Sequence, residues 1–104
     1  LAGTPFYMAP EQIHGRDVDG RVDVYALGVI LYRAVTGHLP FASGNVLLAH
    51  ATQPPPDPRD YVPDLSNTIC TVIDKALQKR PEDRYATCAE LKDAVQLALG
   101  GTPW

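Results

Sequence analysis

Between residues 24 and 36 the chain reads Val-Tyr-Ala-Leu-Gly-Val-Ile-Leu-Tyr-Arg-Ala-Val-Thr, and Arg33 is its one charged side chain. No polar face recurs at helical spacing, and a helix apolar on every side is normally buried on every side. The pattern predicts a buried central helix. It opens near Asp23, whose carboxylate can cap the free N–H groups of the first turn, and it stops at Gly37. Two later segments are one-sided. After Ser66, Ile69, Val72, Ile73, Ala76 and Leu77 fall at i, i+3, i+4, i+7 and i+8. Thr87-Cys-Ala-Glu90 has the spacing of a capping box and leads into Leu91, Ala94, Val95, Ala98 and Leu99 on one stripe, closed by Gly100-Gly101. A weaker helix is expected over residues 44–52, with Ser43 as its cap and Val46, Leu47 and Ala49 as its stripe.

The rest is punctuation. Pro5 and Pro10 forbid a continuous helix over residues 1–21, which read as irregular structure with one short helical turn. Gln53 to Pro63 holds five prolines in eleven residues, a stiff connector with no regular structure beyond polyproline II. No strand pattern and no internal repeat emerges. The expected fold is therefore all-α: a buried central helix with about three further helices around it.

Composition narrows the functional classes. Nine Lys and Arg against twelve Asp and Glu give a formal charge of −3, so no basic field recruits nucleic acid. The longest apolar run, Val24 to Tyr32, has nine residues, and a membrane span needs roughly 18 or more. No cationic stretch precedes an apolar one near Leu1, so no signal peptide is expected. Cys70 and Cys88 lack metal-ligand spacing and read as buried free thiols of a reducing cytosol; His14, His38 and His50 form no HxxxH pair, so a metal site is not expected. Gly28, inside an apolar helix, costs roughly 1 kcal/mol relative to Ala and marks a place where another backbone approaches closely.

Four motifs carry chemistry. Gly3-Thr4-Pro5-Phe6-Tyr7-Met8-Ala9-Pro10-Glu11 resembles GTPxYxAPE, the end of the activation segment of serine/threonine protein kinases. Val22-Asp23-Val24-Tyr25-Ala26-Leu27-Gly28 is similar to the kinase DVWSLG stretch. Thr36-Gly37-His38-Leu39-Pro40-Phe41 resembles the TGxxPF turn, and Lys79-Arg80-Pro81-Glu82-Asp83-Arg84 resembles KxPxxR. Their order and spacing agree with the family over almost the whole chain. VDGRVDVYALG, the triple proline and PEDRY look most like the eukaryotic-like kinases of bacteria.

The resemblance implies roles for particular residues. Gly3, Thr4, Pro5, Phe6 and Tyr7 would form the wall that receives a protein substrate beside its Ser or Thr acceptor. The Thr4 hydroxyl would contact the catalytic Asp. Glu11 and Arg84 would pair and fix the activation segment to the base of the lobe, an architectural role. Asp23 would tie the central helix to the catalytic loop, and Gly28 would serve packing.

It also implies what these residues do not supply. A kinase needs a Gly-rich loop over the phosphates, a strand lysine, a catalytic-loop Asp and the metal-holding Asp of DFG, and none of these motifs occurs in the 104 residues. On this reading residues 1–99 are the C-terminal helical part of a kinase large lobe and residues 100–104 begin a linker. Leu1 would mark a cut, ATP and Mg2+ would bind the parent protein and not this part, and the part alone would be inactive. Its partners would be a Ser/Thr protein substrate and the N-terminal remainder of its own domain, in the cytoplasm. The alternatives are a pseudokinase scaffold and a free-standing helical interaction module.

Overall fold

The computed structural model describes residues 5–100. Five α-helices follow one another: α1 (Pro10–Ile13), α2 (Arg21–Thr36), α3 (Val46–Thr52), α4 (Asn67–Ala76) and α5 (Cys88–Ala98). Single 3-10 turns precede α1 (Pro5–Tyr7), interrupt the proline connector (Pro58–Asp60) and sit before α5 (Pro81–Asp83). No strand occurs among the described residues. The all-α expectation holds.

The central position belongs to α2, which packs on α4, on α5 and on the first 3-10 turn. Tyr25, Val29 and Tyr32 meet Ile69 and Ile73 of α4, and Leu77 just past its end, in one core cluster. Val24 meets Val72, Ala76 and Leu91 in a second, between α2, α4 and α5. All five stripe residues of α4 are buried. Gly28 lets α4 come close: a Cβ there would lie 2.8 Å from the Ala76 Cβ and 3.0 Å from Leu77 Cδ2.

Six expectations need correction. The proline connector holds the Pro58–Asp60 3-10 turn, Leu99 falls off the α5 stripe, and Cys70 and Cys88 are only partly buried. The central helix begins at Arg21, so Asp23 lies within its first turn and is exposed; the carboxylate that meets a free N–H is Asp19, whose Oδ1 accepts from Arg21 N at 2.9 Å. The same helix is not covered all round, since Leu27 is 40% and Ile30 50% exposed. The helix α3 starts at Val46 under an Asn45 cap, not Ser43, because the Asn45 carbonyl oxygen reaches Leu48 N at 3.0 Å. That shift turns Ala49 and His50 inward and leaves Leu47 and Leu48 outside.

The other ends follow their side chains. Ser66 Oγ accepts from Ile69 N, and Thr87 Oγ1 accepts from Glu90 N at 3.1 Å. Glu90 reaches back to Ala86 N, one residue before the cap. Leu99 lies past the last residue of α5 and is 72% exposed, so the apolar stripe stops at Ala98. The left-handed Gly37 (φ +76°) ends α2, and Thr36 Oγ1 accepts from His38 N while donating to Tyr32 O.

Candidate functional site

The turn Pro5–Tyr7 and the short α1 form one unit. Pro10 opens α1, where its missing N–H costs nothing, and Gln12 Oε1 accepts from Ala9 N at 2.9 Å. This geometry aims Glu11 inward, where it is 5% exposed. Arg84 arrives from the opposite end of the chain, after the Pro81–Asp83 turn. Its Nη1 and Nη2 donate to Glu11 Oε2 and Oε1 at 2.7 and 2.8 Å, a bidentate pair spanning 73 positions. The remaining donors reach the carbonyls of Arg21, Gln78 and Lys79. All five N–H groups of a buried guanidinium are thereby satisfied, the condition under which a buried charge is tolerated.

A second anchor meets the first at Tyr25. The Arg84 guanidinium lies 4.9 Å from the Tyr25 ring centroid. The Tyr25 hydroxyl is 2.6 Å from His50 Nδ1, and His50 Nε2 is 3.0 Å from the Phe6 carbonyl. Phe41 closes the pocket edge-on to the His50 ring, 5.0 Å between centroids. Burial pushes the Tyr25 phenol well above its usual range. Burial, and then the Lys79 charge, lower His50 to about 4, so its ring is neutral. Lys79 is itself lowered to about 8 by burial and by the Arg84 charge; its Nζ donates to Ala49 O and sits over the Phe41 ring.

On the solvent side the turn borders an open cleft of about 420 Å³, walled by Tyr7, Met8 and Gln12 and by Val22, Asp23, Ala26 and Ile30 of α2. Arg33 Nη1 donates to the Tyr7 hydroxyl at 3.2 Å across its rim. A larger apolar groove of about 580 Å³ lies between α2 and α5, lined by Leu27, Ile30, Ala34, Leu91 and Val95 among others.

The structure thus brings Phe6, Tyr7, Glu11, Asp23 and Arg84 into one region, with Pro5 half-buried at its edge. Gly28 lies apart, at the α2–α4 contact. Gly3 and Thr4 lie outside the described residues. His50 and Tyr25 were missed as site residues. A histidine beside Ala49 on the inward side of a short helix was the available signal, but its partners are 25 and 44 positions away.

These groups hold a loop against the helices. Among the described residues no three His, Cys, Asp or Glu side chains could hold a metal ion. The cleft beside Tyr7 carries Asp23 and no cation on its walls, a poor match to a triphosphate. No helix among the described residues is long and apolar enough to cross a membrane.

Comparison with known proteins extends the picture. The family model described as "Protein kinase domain" matches residues 1–96. The serine/threonine-protein kinase Pkn1 of Myxococcus xanthus is 52% identical over 102 residues, covering 95% of this chain and 15% of the relative. The serine/threonine-protein kinases PknJ and PknF of Mycobacterium tuberculosis are 42% and 41% identical, covering 97% and 95% of this chain and 18% and 21% of theirs. The chain spans roughly a sixth to a fifth of the length of these relatives.

Proposed function

The chain belongs to the protein kinase domain family, and from this we infer that it forms the substrate-docking loop and helical base of a bacterial serine/threonine kinase. The parent protein would transfer the γ-phosphoryl group of ATP, with Mg2+, to Ser or Thr hydroxyls of protein substrates. Thr4 would support the catalytic Asp, and the Pro5–Tyr7 turn would receive the substrate. Residues 1–99 would then be part of a kinase domain and residues 100–104 the start of a linker, working in the cytoplasm.

The observation that most supports this reading is the Glu11–Arg84 clamp. It joins the first and last of the four motifs in space, so the likeness extends beyond letters to a bonded geometry. The open apolar groove along Leu27, Ile30 and Ala34 supports a second part of the reading: the remainder of the kinase domain would cover this face of α2. Without the Gly-rich loop, the strand lysine and the two catalytic Asp motifs, the chain alone would turn nothing over.

Labelled ATP offered to the longer protein together with an acceptor protein tests the activity. Phosphoserine and phosphothreonine are the expected products. Phosphotyrosine alone overturns the Ser/Thr specificity, and no turnover sinks the kinase reading in favour of a pseudokinase scaffold. Turnover by the pure 104-residue chain would overturn the division of labour.

A further inference from the structure

His14 and His38 are exposed, whereas His50 is fully buried and bonded at both ring nitrogens. A carbonyl oxygen only accepts, so Nε2 carries the proton in its bond to Phe6 O. Nδ1 is then bare and accepts from the Tyr25 hydroxyl, which burial keeps protonated. One tautomer is compelled. Phe41 and Tyr25 meet the imidazole edge-on, at interplanar angles of 80° and 69°, and hold the ring in place.

The turn it grips has little holding it from within. Three residues long and opened by Pro5, its internal bond is Met8 N to Pro5 O, at 3.4 Å. Outside contacts must therefore position it: Arg33 to the Tyr7 hydroxyl on the exposed side, His50 to the Phe6 main chain on the buried side. A bond to a main-chain carbonyl fixes the backbone itself and uses no side-chain atom of the turn. We propose that His50 is a positioning residue for protein-substrate docking: its Nε2–H bond to the Phe6 carbonyl, backed by Tyr25, sets where the Pro5–Tyr7 turn stands over the central helix.

This inference rests on the docking role given to that turn above, and the test separates the two. In the longer kinase, His50→Leu, His50→Gln and Tyr25→Phe are compared with wild type, using myelin basic protein as acceptor. For His50→Leu the acceptor KM rises about tenfold while the ATP KM moves less than about twofold, the scale of one lost buried hydrogen bond confined to one substrate. Tyr25→Phe raises the acceptor KM about threefold, because the tautomer is no longer enforced. His50→Gln retains an N–H donor and recovers most of the loss. Hydrogen exchange at the amides of residues 6–9 follows the same order and needs no activity.

An unchanged acceptor KM in folded His50→Leu, or equal losses in the Gln and Leu variants, overturns the proposal. If His50→Leu does not fold, Tyr25→Phe decides, and wild-type KM and exchange in that variant overturn it. A wild-type protein that phosphorylates no acceptor defeats the docking reading instead; the exchange rates then decide the positioning, and unchanged protection overturns it.

Discussion

Arg84 grips Glu11 through two parallel bonds of 2.7 and 2.8 Å and lies 4.9 Å from the ring centroid of Tyr25. One guanidinium therefore touches both anchors of the Pro5–Glu11 segment: the carboxylate in the first turn of α1 and the phenol that orients His50. Any change at Arg84 acts on both.

Arg84→Ala leaves the Glu11 carboxylate buried without its partner, and breaking such a pair typically costs about 3–5 kcal/mol. Urea unfolding of the protein is expected to show a loss in this range and faster proteolysis near residues 5–11. Arg84→Lys keeps the charge but offers three donors where five are used, and should recover only part. An unchanged midpoint for Arg84→Ala would count against the clamp.

Gly28→Ala sets two effects against each other. Ala favours the helix by about 1 kcal/mol, but its Cβ would lie 2.8 Å from the Ala76 Cβ, which has no flexible end to yield. Overpacking typically costs about 1–3 kcal/mol, so the net result is expected to be destabilising. The double variant Gly28→Ala/Ala76→Gly should recover part of the loss in thermal melts. A stabilised single variant would show that α2 and α4 separate freely.

The cap correction gives a local test. Asp19→Ala removes the exposed bond from Arg21 N, made one residue before the Gly20 N-cap, and should cost about 0.5–1 kcal/mol. Asp23→Ala, exposed within the first turn, should cost only a few tenths through the helix dipole. Chemical denaturation of the two variants ranks them, and the reverse order would restore Asp23 as the cap.

Burial holds His50 neutral in the folded protein down to about pH 4, against 6.5 when free. Between those values the unfolded chain binds the extra proton, so stability falls as pH drops from 6.5 towards 4. The slope is at most about 1.4 kcal/mol per pH unit for one proton, and above pH 6.5 the residue contributes no slope. Unfolding midpoints of wild type and His50→Gln, taken from pH 7 to pH 4, should diverge over this window. Parallel curves would mean that His50 charges in place.

Much of the fold was legible because its causes are local. The α4 stripe, the Thr87 cap and the Gly37 terminator are set within one or two helical turns, and pattern reasoning reads that range. The Glu11–Arg84 partnership was legible too, but only through resemblance, since no periodicity links residues 73 positions apart. The α3 register was misread because Ser43 and Asn45 are both competent caps, and only the inward demand of Ala49 and His50 selects Asn45.

By itself the sequence determined an all-helical chain, the kinase motifs in order, and a central helix with no charge along its inner stripe. Tertiary structure decided which faces of that helix are covered. Tyr25, Val29 and Tyr32 found partners in α4, while Leu27 and Ile30 stayed open, a difference that hydropathy cannot register because both faces are apolar. It also decided the chemistry of His50. An imidazole's tautomer and charge depend on the groups at its two nitrogens, and the fold brings those groups from 25 and 44 positions away.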